Sequence, residues 1–209
     1  MNILAIECSL PQASLCLYKG DICLFETSWQ ATRNHDSFLF PALRDAIDAL
    51  HDEKLGVILV GAGPGSYGGV RVALAAAVGI ATVYGADIVA LPSWNQLAEE
   101  GCMIVSDAKR GGWAVSRAPG DIEVLTTEQL VEEADTGMRI HTIESPGTLQ
   151  KIGIYPEKEG LTPTACGLVE TWNKMNDEQK AQAYLAAPEP LYVRPPHITK
   201  ALHKPWEIR

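Results

Sequence analysis

No two of the five histidines (His35, His51, His141, His197 and His203) stand four residues apart. The chain therefore has no H-x-x-x-H pair, the spacing that sets two imidazoles on one helical face to hold a metal. The five cysteines, Cys8, Cys16, Cys23, Cys102 and Cys166, are odd in number, form no C-x-x-C pair and sit mostly inside apolar runs. They indicate neither a metal site nor a disulfide framework, and a reducing cytoplasm is the expected setting. Basic residues are scarce: 17 Lys and Arg stand against 26 Asp and Glu, for a net charge of -9. That balance argues against the chain being the main surface for a nucleic acid. The opening MNILAIECS has no basic leader or long apolar core and reads as a first strand rather than a signal peptide. The longest apolar segment, 70–80, is short and rich in Gly and Ala, so no membrane contact is expected.

What is present concentrates in residues 57–79, VILVGAGPGSYGGVRVALAAAVG. A β-branched run, a Gly/Pro turn and a long apolar helix follow one another, an order that aims the unpartnered first amides of a helix at an anion. The turn does not end in GK[ST], which excludes a Walker A loop. Gly61, Gly63 and Gly65 share the opening spacing of a dinucleotide fingerprint, but Ser66 stands where its third glycine belongs. Two readings stay open: Gly63, Gly65 and Ser66 touch a nucleotide, or the segment is a structural turn that Ser66 caps. Ser66 is not in a nucleophile elbow, because Pro64 occupies the first glycine position of G-x-S-x-G. From Val70 to Tyr84 only Arg71 and Thr82 are clearly polar, and Ala73, Ala77 and Ala81 recur every four residues. Such a helix is covered on more than one side, either within its own fold or by a partner chain.

At 209 residues and 46% hydrophobic, the chain can build one large domain or two lobes, each with a core. Strands are expected at 2–7, 13–18 and 22–27, then a helix from Asp36 that aligns Leu39, Leu43, Ala46, Ile47 and Leu50. A strand at 57–60, the glycine turn and its helix, a strand at 87–91 and a helix over 93–100 complete a first unit. After Gly101 the pattern restarts, with strands at 103–106, 113–117, 122–125 and 139–143 and helices at 128–134, 163–175 and 178–186. This predicts an N-terminal lobe over 1–100, a smaller C-terminal lobe over 101–194 and an extended tail over 195–209.

Several pieces together resemble the bacterial TsaB (YeaZ) family. They are ILAIECS at 3–9, RNHDS at 33–37 with Leu39 and Pro41, GAGPGSYGGVR at 61–71, DAKRG at 107–111 and EPLYVR at 189–194. The resemblance implies an actin/Hsp70/sugar-kinase-like (ASKHA) α/β fold with two duplicated lobes, the second abridged. It implies a non-catalytic paralogue of TsaD that helps form N6-threonylcarbamoyladenosine (t6A) beside the tRNA anticodon. It further implies pairing through two helices, with Arg33, His35, Leu39, Leu43 and Ile47 on one and Val72, Ala73, Ala76, Ala77, Ile80 and Val83 on the other. The implied partners are TsaD, a second copy of the chain when alone, TsaE in a larger complex, and tRNA only through that complex. No cofactor is expected on this chain alone, with ATP and Mg2+ entering in the assembly. The chain departs from the family pattern at Glu7 (Asp in the family), Ala62 (Arg), Gly68 (Thr) and Gly112 (Glu).

An enzyme of the same fold, a small ATP-dependent phosphotransferase, is the competing reading. Glu7 would organise Mg2+ and the glycine turn would hold phosphates, but no second glycine loop follows Gly101. His35, beside Arg33 and Asp36, is readable as a general base or as an interface contact.

Overall fold

The computed structural model describes residues 1–31, 35–51, 53–117, 119 and 121–194, without the side chains of His35 and Asp36. The expected tail over 195–209 and the interface residue Arg33 lie outside the described residues. Two sheets form the frame. The first joins β1 (Asn2–Glu7), β2 (Gln12–Lys19), β3 (Ile22–Gln30), β4 (Leu55–Gly61) and β5 (Asp87–Leu91) in the order β3-β2-β1-β4-β5. β1 runs antiparallel to β2 and parallel to β4, and β4 runs parallel to β5.

Every residue of β1 is buried because helices cover both faces of its sheet. Leu4 and Ile6 point to α1 (His35–Ala49) and α2 (Tyr67–Tyr84), packing with Leu39, Leu43, Ala73 and Ala77. Ile3 and Ala5 point the other way, to Ala165, Leu168, Val169 and Trp172 of a later helix. Pro41 lies inside α1, past its first turn.

The second sheet joins β6 (Cys102–Asp107), β7 (Gly112–Ser116), β8 (Glu123–Thr126) and β9 (Arg139–Thr142) in the order β8-β7-β6-β9. Its pairings, β6 antiparallel to β7 and parallel to β9, repeat those of β1 with β2 and β4. Among the described residues the repeat has no fifth strand, so the second unit is the abridged copy. α3 (Thr127–Ala134) follows β8 as α1 follows β3, opened by a capping box between Thr126 and Gln129.

Three features differ from the reading of the sequence. The segment after Pro92 forms a short 3-10 helix, Ser93–Leu97, rather than a helix to residue 100. α4 (Ala165–Lys174) and α5 (Asp177–Leu185), assigned by sequence order to the C-terminal lobe, pack on the first sheet instead. The cause is the apolar face of α4, whose Leu168, Val169 and Trp172 fill the side of the sheet that α1 and α2 leave open. Finally, α2 runs for 18 residues, so by length and composition it could cross a bilayer, which the 70–80 segment did not indicate. Its Gly69, Val70, Ala73, Leu74, Ala76 and Ala77 are buried against the sheet, as in a core helix.

Candidate functional site: the glycine turn, the inter-sheet cleft and the helix groove

Ser66 caps α2 by accepting a hydrogen bond from the Gly69 amide at 3.2 Å. The glycine turn before it is held by the protein's own acceptors. The Ala62 amide donates to the Leu91 carbonyl, the Gly63 amide to Ser93 Oγ at 3.1 Å and the Ser66 amide to the Ser9 carbonyl. Gly65 has φ +157, and a Cβ there would lie 2.0 Å from the Ser9 carbonyl oxygen, so only glycine allows this approach. The Ala62, Gly63 and Ser66 amides are thus spent on closing the turn rather than offered to an anion.

Glu7 lies behind the turn. Its side chain is wholly buried, and a Cβ on Gly61 would collide with its carboxylate. Oε1 accepts from the Ser9 amide at 2.8 Å, while Oε2 has no partner within hydrogen-bonding distance. Burial pushes the carboxyl well above the ordinary glutamate range, opposed by its hydrogen bonds with Ser9 and by Ser93 and Cys8 beside it.

A cleft of about 1220 Å3 separates the two sheets. Of the residues expected to meet a nucleotide, Gly65 and Ser66 line it, whereas Glu7 and Gly63 do not. Its other wall carries Asp107, Lys109 and Glu144. Lys109 Nζ donates to Asp107 Oδ2 at 2.8 Å, and Glu144 Oε1 accepts from Ser106 Oγ and the Asp107 amide. Burial raises the Asp107 carboxyl, but the bonds from Lys109 outweigh it and hold the group below its ordinary range.

Residues 191–194 run across this cleft, a role that local pattern did not reveal. The Leu191 amide donates to the Ala62 carbonyl at 2.8 Å, and Tyr192 stacks on Tyr67 with ring centroids 4.9 Å apart. A Cβ on Gly112 would lie 2.0 Å from Arg194 Nη2. The family's Glu is thus absent where Arg194 crosses the hairpin of the second sheet.

The expected interface residues divide. Leu39, Ala73 and Ala77 are fully buried in the chain's own core, so the four-residue alanine spacing faces the sheet rather than a partner. Leu43 and Ala76 are buried as well, yet with Ile47 and Ile80 they line an apolar groove of about 440 Å3 between α1 and α2. Phe40, Ala75 and Gly79, none of them foreseen, complete its apolar wall. Val72 is half-buried and Val83 is 77% exposed. The side chain of His35 lies outside the described residues.

A repeated mixed sheet, abridged in its second copy, with a cleft between the copies defines an ASKHA-fold protein. The family model described as TsaD, tRNA N6-adenosine threonylcarbamoyltransferase, matches residues 29–158, well over half of the chain, and the chain belongs to that family. Two solved structures are similar over nearly their full length. One is a Pseudomonas aeruginosa protein described as similar to peptidase YeaZ, with TM-score 0.68 and 22% identity over 92% of this chain and 99% of that one. The other is YeaZ from Pseudomonas aeruginosa, with TM-score 0.67 and 22% identity over 91% of this chain and 99% of that one. The chain is thus TsaB/YeaZ-like in fold, and its role is related to t6A biosynthesis.

Proposed function

We propose that the chain is a non-catalytic assembly subunit of the t6A machinery, working in the cytoplasm and pairing with TsaD through the groove between α1 and α2. The observation that carries this reading is the placement of Glu7, wholly buried behind the glycine turn and away from the cleft, with the Ala62, Gly63 and Ser66 amides bonded internally. A phosphotransferase needs its metal-organising carboxylate facing the substrate. The lack of an H-x-x-x-H pair supports the same reading. When TsaD is absent the groove takes a second copy of the chain; TsaE joins a larger complex, tRNA is met only through it, and ATP with Mg2+ enters there.

The test is capture of TsaD by this chain and by a Gly79→Glu variant. Gly79 is exposed and a Cβ there meets nothing within 4 Å, so the variant should fold as a monomer. A carboxylate forced into an apolar contact costs several kcal/mol, so the variant should lose both TsaD capture and t6A formation. A folded variant that still captures TsaD moves the interface elsewhere. ATP turnover by the isolated chain with Mg2+, above that of a Glu7→Gln control, would establish the phosphotransferase instead.

A further inference from the structure

Glu99, Cys102 and His141 are separated in sequence, yet one donor atom from each lies within 4.8 Å of the others. Strand register creates this cluster. Cys102 opens β6 opposite Arg139, and Ile104, two residues on and on the same face, stands opposite His141. The chain then returns alongside β9: the Glu157 amide donates to the Ile140 carbonyl at 2.7 Å and the Thr142 amide to the Lys158 carbonyl at 2.9 Å. That return brings Glu157 Oε2 to 3.7 Å from His141 Nε2, while Cys102 Sγ lies 3.5 Å from the same nitrogen.

The 3.7 Å spacing is too long for a strong hydrogen bond, and the 3.5 Å Cys102–His141 contact is a sulfur hydrogen bond whose length also suits another geometry. A tetrahedral ion with bonds of about 2.0–2.3 Å holds its ligand atoms about 3.3–3.8 Å apart. We infer that Glu99, Cys102 and His141 form a binding site for a divalent transition-metal ion of borderline softness, with Zn2+ the best match to one thiolate, one imidazole and one carboxylate, the fourth position being left to water. The imidazole is fully buried and Nδ1 meets no polar partner, so the ring presents its chemistry at Nε2, toward the cluster. Glu99 and Glu157 are roughly half exposed, which leaves an ion a path from solvent. A thiolate and one carboxylate balance the charge of a divalent ion. Lys158 on Glu99 orients that carboxylate, and Glu157, with Oε2 3.6 Å from Arg139 Nη1 and 3.7 Å from His141 Nε2, stands beside the cluster. The Cys102 thiol gives up its proton to solvent on binding. The site lies at the opposite end of β6 from the cleft, which is lined by Ser106 and Asp107, so it is separate from the glycine-turn site.

The test uses the full chain stripped by a chelator, titrated with Co2+ by absorption and with Zn2+ by calorimetry. One equivalent of Co2+ should give intense tetrahedral ligand-field bands and a thiolate charge-transfer band in the near ultraviolet. Cys102→Ser should abolish that band, and Glu99→Gln, at an accessible position, should weaken Zn2+ at least about tenfold. Zn2+ should raise the Tm of the parent chain and not of Cys102→Ser. Cys23 is the exposed thiol, so Cys23→Ser should leave every signal intact. A weak octahedral Co2+ spectrum, a band lost with Cys23 rather than Cys102, or Zn2+ binding unchanged in Glu99→Gln overturns the assignment.

Discussion

The two sheets share a topology and differ in what covers them. The first is enclosed, with α1 and α2 on one face and α4 on the other, and its strands β1 and β4 are buried almost throughout. The second has one full helix among the described residues, α3, whose Leu130 packs on Met103, Val105 and Val115, while Ala114 and Ile143 on the sheet's other side help line the cleft. The second sheet has four strands among the described residues, and its far face, where Trp94 packs on Ile104 and Ala114, borders the cleft. The extra helix on the first sheet comes from the C-terminal part of the chain, so chain order and spatial unit part company at α4.

The sharpest way to break this comparison is Trp172→Ala, which removes the largest buried side chain of α4 and should cost about 3–5 kcal/mol in a denaturant titration. Hydrogen exchange should rise at β1 and β4 amides first; equal loss of protection in β6 and β7 would show one cooperative unit rather than two unequal ones. Leu130→Ala, which removes the buried side chain of α3, should cost about 2–4 kcal/mol and loosen the second sheet first in the same exchange experiment.

Glu7→Gln sharpens the contrast through pH. The folded carboxyl is raised by burial, so Glu7 carries no penalty below its unfolded pKa and a growing one as pH rises toward the folded value. The variant should therefore match the parent near pH 4 and exceed it by about 1–3 kcal/mol at pH 7, read from thermal melts at both. A parent as stable as the variant at pH 7 would place a compensating positive charge beside Glu7. Thr126→Ala removes the capping box of α3 and should cost about 1 kcal/mol by thermal melting, all of it in the second unit. The smallest effect is Gly79→Ala, an exposed helix position with open space around its Cα, which should gain about 0.5–1 kcal/mol in a monomeric chain.

Much of the frame was legible because strand and helix periods are local. The strands at 2–7 and 87–91 coincide with β1 and β5, and the restart after Gly101 corresponds to the second sheet. Ser66 reads as a cap from its place before an apolar helix, and the Ser66–Gly69 bond is that cap. The groove was only half legible: helical spacing names Ile47 and the family resemblance implies Ile80, but neither can say which side of an all-apolar helix meets its own sheet. Ala73 and Ala77 therefore looked like partner contacts and are core.

By itself the sequence determined which segments extend, which coil and where one unit ends and its copy begins, since steric preference and side-chain period act over a few residues. Tertiary structure alone decided that α4 closes the first sheet, that Ser9, Leu91 and Ser93 take up the amides of the glycine turn, and that Arg194 crosses at Gly112. It also decided that Cys102 and His141 meet, 39 residues apart. Such contacts depend on strand register and on how helices share a sheet face, and these are set by burial of the whole core rather than by any short run of residues.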